Sequence, residues 1–284
     1  MNHVGYAGLI LLMMGVAACG GEQDVVNSPE PPVTPREAAP PPPPPAATPA
    51  PAPAPAPEAK PAGPACSDGE ECNQKGETAG HAEDFKTAVA FWEKGCELKS
   101  AKACANLGDV YRNGIVTTED KPRGAASFAK ACELGHANAC TQAGLMYKLA
   151  EGVPGDSPKA LSLWTKGCEG QDRDACFNAG MLSSKGTGVP VNMEAAVGFY
   201  EKACMRANAL ACTYAGIIVT MGQGGVAKQP ERGAKLFTSA CDLREPQGCY
   251  NLGVAYTNGI GVAKDATKAN EAFKRACLAG DMES

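Results

Sequence analysis

Ten of the 14 cysteines fall in five pairs of one spacing, Cys96/Cys104, Cys132/Cys140, Cys168/Cys176, Cys204/Cys212 and Cys241/Cys249, each C-x7-C. Successive pairs begin 36, 36, 36 and 37 residues apart, and Cys277 follows 36 residues after Cys241. A fixed period of this size is the mark of supersecondary units that stack one on the next to bury a shared core.

Alignment on the first cysteine of each pair brings out one half of the unit. Four residues before it stand Trp92, Phe128, Trp164, Tyr200, Phe237 and Phe273. Eight before it stand Ala88, Gly124, Ala160, Ala196, Gly233 and Ala269, and one before it Gly95, Ala131, Gly167, Ala203, Ala240 and Ala276. Small, aromatic, small at i, i+4, i+7 is one face of a helix. Alignment on the second cysteine gives the other half. Gly76, Gly108, Gly144, Gly180, Gly216 and Gly253 lie four residues after it, with Tyr111, Tyr147 and Tyr256 at +7. A glycine inside a helix costs about 1 kcal/mol against alanine, so six recurrences point to a close helix–helix approach. Pro122, Ser157-Pro158 and Pro230 mark the starts of second helices. The expected fold is therefore all-α: a solenoid of about six helix A–loop–helix B units.

Each cysteine pair spans the short turn from one helix B to the next helix A. The one-residue insertion falls between Cys212 and Cys241, while both flanking C-x7-C spacings are kept. The A–B loop absorbs length and the cysteine turn does not, as a covalent staple requires. Cys66 and Cys72 form a worn first pair, with C-x5-C spacing and 24 rather than 28 residues from Cys72 to Cys96. Disulfides are expected for Cys66–Cys72, Cys96–Cys104, Cys132–Cys140, Cys168–Cys176, Cys204–Cys212 and Cys241–Cys249. By loop entropy each contributes roughly 2–3 kcal/mol. Cys277 is expected to be unpaired, because its partner by period would be residue 285. Zinc sites use shorter Cys spacings, and past the leader only His81 and His136 are available, so no metal is expected. No C-x-x-C supports thiol redox chemistry, and no cofactor is expected.

The N-terminus supplies the compartment. Residues 4–18 are uncharged and mostly apolar, too short for a membrane span and sized for a signal segment. Val16-Ala17-Ala18-Cys19 resembles the bacterial lipobox. The resemblance implies cleavage before Cys19, lipidation of that residue and attachment to a bilayer. Gly20 stands where Asp would imply retention at the inner membrane, so the same analogy points to the outer membrane, facing periplasm or cell surface. An exported chain also fits disulfides. Seventeen of the 23 prolines lie between residues 20 and 65. That stretch is expected to be a polyproline-II, disordered tether, with a reach of at most ~140 Å. The expected organisation is signal peptide 1–18, lipidated cysteine and tether 19–65, and repeat domain 66–284. Residues 66–284 carry 24 Lys+Arg and 26 Asp+Glu, so net charge gives no basic face for nucleic acid.

The unit C-x3-G-x2-Y followed by small-x3-aromatic-x-K-A-C resembles Sel-one-like repeats, and more narrowly their cysteine-rich Hcp-like branch of secreted α/α solenoids stapled once per repeat. The resemblance covers residues 66–284. Members of that branch are often described as penicillin-binding or β-lactamase-like, which implies a nucleophile or a metal. The one S-x-x-K match is Ser127-Phe128-Ala129-Lys130. Lys130 occupies a repeat position also held by Lys94, Lys166, Lys202 and Arg275, and Phe128 is the repeat aromatic, so the repeat itself accounts for most of the motif. No S-D-N or K-T-G follows.

Two residues after the helix A cysteine stand Gln74, Asn106, Gln142, Asn178, Tyr214 and Asn251. Primary amides in a row, with Asn106, Gln142, Asn178 and Asn251 as the clearest members, offer an extended peptide backbone paired donors and acceptors. The competing reading is that they bond the neighbouring repeat. The leading expectation is a non-enzymatic envelope scaffold that binds a protein or peptide on its concave face. The alternative is a β-lactam-binding or β-lactam-hydrolysing protein.

Overall fold

The computed structural model describes residues 65–115 and 119–281. The signal segment, the lipidation site Cys19 and all but the last residue of the proline-rich segment lie outside the described residues. Among the described residues the chain forms twelve α-helices and no strand. They are α1 (Gly69–His81), α2 (Phe85–Glu97), α3 (Ala101–Asn113), α4 (Lys121–Glu133), α5 (Ala137–Leu149) and α6 (Ser157–Glu169). Then follow α7 (Arg173–Lys185), α8 (Met193–Cys204), α9 (Ala209–Met221), α10 (Pro230–Asp242), α11 (Pro246–Asn258) and α12 (Ala266–Asp281). Odd-numbered helices are helix A of a repeat and even-numbered ones helix B. Each A helix packs most extensively on the B helix of its own repeat, and each B helix then packs on the next A helix. This is the repeat solenoid expected from the period.

The helix starts are set by side-chain caps. Asp84, Asp120, Asp156 and Asn192 accept a hydrogen bond from the third backbone N–H of their B helices. Ser100, His136, Asp172, Asn208 and Glu245 do the same for A helices. Each satisfies an amide that would otherwise be orphaned at a helix end. The A–B loops are closed by a second recurring bond. The N-cap amides of Asp120, Asp156 and Asp265 donate to the carbonyls of Tyr111, Tyr147 and Tyr256 at 2.8–3.0 Å. The inserted residue lies in the loop 222–229, where a short 3-10 turn takes up the extra length.

The B-to-A turns are much tighter. Lys99, Gly135, Gln171, Ala207 and Arg244 occupy the same turn position with φ of 62–93°. Only one of the five is glycine, and a left-handed non-glycine residue costs roughly 1–2 kcal/mol. The turn keeps that geometry because its next amide bonds back into helix B, as Ser100 N–H does to Gly95 O at 2.9 Å. The disulfide then locks it. Cys96–Cys104, Cys132–Cys140, Cys168–Cys176, Cys204–Cys212 and Cys241–Cys249 bring Cα atoms to 4.3–4.7 Å, and Cys66–Cys72 to 5.3 Å. Disulfides at this density require an oxidising compartment. Among the described residues no helix is long and apolar enough to cross a membrane.

Cys277 departs from the expectation that it is unpaired. It has a bonding partner, and among the described residues no cysteine is free.

The core is a stack of aromatics on glycines. A Cβ added at Gly108 would stand 2.5 Å from Cδ1 of Phe128, and one at Gly216 would stand 2.6 Å from Cε1 of Phe237. The same contact pairs Gly76 with Trp92, Gly144 with Trp164, Gly180 with Tyr200 and Gly253 with Phe273. The helical glycine and the B-helix aromatic are thus two halves of one contact. The glycine lets the ring lie on the A-helix backbone, and the ring contributes the repeat's largest buried apolar area.

Candidate functional site

The row two residues after each A-helix cysteine runs along the A helices, but the six side chains do not do the same thing. Gln74 is exposed. Asn106 donates from Nδ2 to Oδ1 of Asn73 in the preceding repeat at 3.1 Å, and Asn73 is fully buried. Gln142 accepts from Arg112 of the preceding repeat at 2.9 Å. Asn251 is 1% exposed and lies inside the interface between the fifth and sixth repeats. Asn178 is half-buried and makes no side-chain hydrogen bond among the described residues. Tyr214 is exposed at its edge and stacks on Phe177 of the preceding repeat, with ring centroids 6.1 Å apart and planes at 27°.

The structure therefore divides the row. Asn106 and Gln142 are committed to inter-repeat bonds and Asn251 is sealed from solvent. Asn178 and Tyr214, on adjacent A helices α7 and α9, keep free capacity. Tyr200 completes the aromatic group, 5.5 Å from Tyr214 and 5.9 Å from Phe177 by centroid. Its hydroxyl pairs with Ser184 Oγ at 3.0 Å, and burial pushes its pKa above the ordinary tyrosine value. Leu210, one helical turn before Tyr214, is 48% exposed. An amide with unused donors and acceptors can hold a peptide group, and a supported ring with an exposed leucine on the neighbouring A helix can take an apolar side chain.

Sequence reasoning treated Tyr214 as the exception in an amide row and overlooked Phe177. The signal was present. Phe177 stands one residue after its cysteine, where other repeats carry Asn73, Ala105, Thr141, Thr213 and Tyr250. Aromatics at +1 in one repeat and +2 in the next meet across the A–A interface, as Asn73 and Asn106 do.

Charged groups elsewhere link repeats rather than form a reactive cluster. Arg112 donates from Nε and Nη2 to the Glu151 carboxylate at 3.2 and 2.8 Å, and this holds the Glu151 carboxyl below the ordinary glutamate range. Lys148, one repeat on from Arg112, reaches the Thr187 carbonyl at 3.0 Å. Tyr111 donates to Glu93 at 2.6 Å while the Arg123 guanidinium lies 3.9 Å from its ring centre. Burial, reinforced by Glu93, raises the Tyr111 pKa. Lys159 over Tyr147 repeats the cation–ring contact at 4.0 Å.

The S-x-x-K residues all lie on α4. Phe128 is the core ring against Gly108, Ser127 is half-buried on the same helix, and Lys130 is exposed. The Ser127 hydroxyl makes no hydrogen bond among the described residues. Nor do the described residues contain a group of three or more His, Cys, Asp or Glu side chains placed to hold a metal.

The Sel1 repeat model matches residues 67–100, 101–136, 137–172, 173–208, 209–244 and 246–281, each stretch one A–B helix pair. The chain belongs to the Sel1-repeat family. Among solved structures, this Sel1-repeat chain is similar to a Sel1 repeat protein from Oxalobacter formigenes. The TM-score is 0.63 at 22% identity, covering 72% of this chain and 84% of that one. It is also similar to c5321, a protective antigen of uropathogenic Escherichia coli with an SLR fold. There the TM-score is 0.55 at 19% identity, covering 73% and 53% of the two chains. These likenesses concern the fold. The cysteine-rich Hcp branch is represented by "Putative beta-lactamase HcpC" of Helicobacter pylori (strain J99), 56% identical over 34 residues. That stretch is 12% of this chain and 12% of the Helicobacter protein.

Proposed function

We propose that this Sel1-repeat chain is an exported, lipid-anchored protein of the cell envelope, held through Cys19 to the outer membrane. There it works as a non-enzymatic scaffold that binds a protein or peptide along the face of its A helices. The observation that carries the binding reading is the junction of α7 and α9, where Asn178, with no side-chain hydrogen bond among the described residues, directly follows Phe177, whose ring stacks on Tyr214. The same register position is bonded in Asn106 and Gln142. An unbonded amide with an exposed ring on the neighbouring A helix is suited to an extended peptide, whose backbone pairs with the amide while a side chain lies on the tyrosine. The partner is a protein or peptide segment, with no nucleic acid and no cofactor in the account.

β-Lactam hydrolysis has in its favour the name carried by the Helicobacter protein, over a 34-residue match. Ser127 and Lys130 lack the surrounding groups such chemistry needs. Crosslinking capture from envelope membranes, run beside a nitrocefin assay on the same purified protein, separates the readings. The scaffold reading expects a discrete crosslinked partner and no nitrocefin turnover; turnover that survives repurification would overturn it.

A further inference from the structure

Between the fifth and sixth repeats lies a small cavity bounded by α9, α10 and α11, with Ile217, Thr220, Phe237, Asn251 and Val254 in its wall. It offers about 10 Å³ to a water-sized sphere, at the lower edge of the ~10–15 Å³ that one water needs. The wall is mostly apolar, yet two of its residues each bury a polar atom without a hydrogen-bond partner among the described residues, Thr220 at Oγ1 and Asn251 at Nδ2. Asn251 Oδ1 accepts from Gln247 Nε2 at 3.1 Å, so the orphaned group is the amide nitrogen alone. Leaving such a group unmet in an apolar wall is costly, and native interiors rarely do it.

One other interface shows what these two register positions can do. Thr220 is the eighth residue after its A-helix cysteine, and Asn251 the second after the next one. The same two positions between the second and third repeats hold Arg112 and Gln142, which bond directly at 2.9 Å. At the fifth interface the long guanidinium is replaced by a threonine hydroxyl, two bonds from Cα and too short to make that link. The space between the two positions is the cavity.

We propose that a single ordered water occupies this cavity, accepting from Asn251 Nδ2 and donating to Thr220 Oγ1. It replaces the side-chain bridge made by Arg112 and Gln142, and ties the sixth repeat to the fifth. An apolar occupant would leave both polar atoms unmet, and a cation would face an amide N–H.

The test is nuclear Overhauser transfer from water to the Asn251 side-chain amide in the full chain, paired with melting of Thr220→Val, Asn251→Leu and the double variant. The expected result is a long-lived water signal at Asn251 that disappears in Thr220→Val. The double variant should lose no more in melting temperature than the worse single one, because either change releases the same bridge. Absence of the water signal in the unmodified chain, with Thr220 bonded instead to the Gly216 carbonyl, would overturn the proposal. So would fully additive melting losses.

Discussion

The ring of Phe128 lies so close on Gly108 that a single methyl group between them would stand 2.5 Å from the ring. Gly108→Ala should therefore destabilise the domain although alanine is the better helix former. The propensity gain is about 1 kcal/mol, whereas forcing extra volume into a close-packed contact costs typically 1–3 kcal/mol. Here the neighbour is a buried ring with nowhere to retreat, so the upper part of that range applies. Urea denaturation of Gly108→Ala beside the unmodified chain measures the net loss; a gain in stability would contradict the packing account.

That contact also shows what the primary structure made legible. Periodicity alone placed a glycine at one position of helix A and an aromatic at another of helix B. Six copies of each made the close approach readable before any coordinates. The cysteine turn was legible for the same reason, since repetition separates invariant geometry from variable decoration. The candidate site was harder. Asn106 and Asn178 occupy one register position, yet one is bonded and the other is not, because their neighbours at the preceding +1 position are Asn73 and Thr141. A single-residue alignment does not show which neighbour a side chain meets. Thr141 is itself engaged, donating to the Asp172 cap at 2.8 Å.

The A-helix ends offer a prediction of opposite sign. Ala150 caps α5 in the left-handed region, φ 55° and ψ 36°, where the other repeats place Gly114, Gly186, Gly222 and Gly259. Ala150→Gly removes a steric cost of roughly 1–2 kcal/mol and returns part of it through the freer unfolded chain. A rise in stability of up to about 1 kcal/mol is expected in thermal melts. A fall in the melting temperature would show that the alanine methyl is worth more than the strain it brings.

Glu151 supplies a pH dependence. Its carboxyl is held below the ordinary glutamate range mainly by the Arg112 hydrogen bonds. A depressed folded-state pKa contributes stability that is present above the unfolded value and is lost as pH falls through the folded one. The pair keeps about a quarter of its surface exposed, so the contribution is about 1 kcal/mol at most. Glu151→Gln should lower stability at neutral pH and flatten the decline on acidification below the glutamate range. An unchanged acid limb would remove Glu151 from the account.

Asn106 and Asn178 should respond differently to the same truncation. Asn106→Ala leaves the buried Asn73 carbonyl oxygen without its donor, costing ~1–3 kcal/mol in stability. Asn178→Ala breaks no bond within the domain and should melt within a degree or so of the unmodified protein, as surface changes generally do. Equal losses in the two variants would mean that Asn178 has a structural partner and is no ligand group.

The most direct test of the scaffold account is crosslinking capture from envelope membranes with the full chain, comparing the unmodified protein with Asn178→Ala/Tyr214→Ser. The account predicts that a discrete partner crosslinks to the unmodified chain. In the double variant, with its fold verified by circular dichroism, recovery of that partner should fall at least about tenfold, the equivalent of ~1.4 kcal/mol. Equal recovery by both proteins would contradict the assignment of binding to the α7–α9 junction.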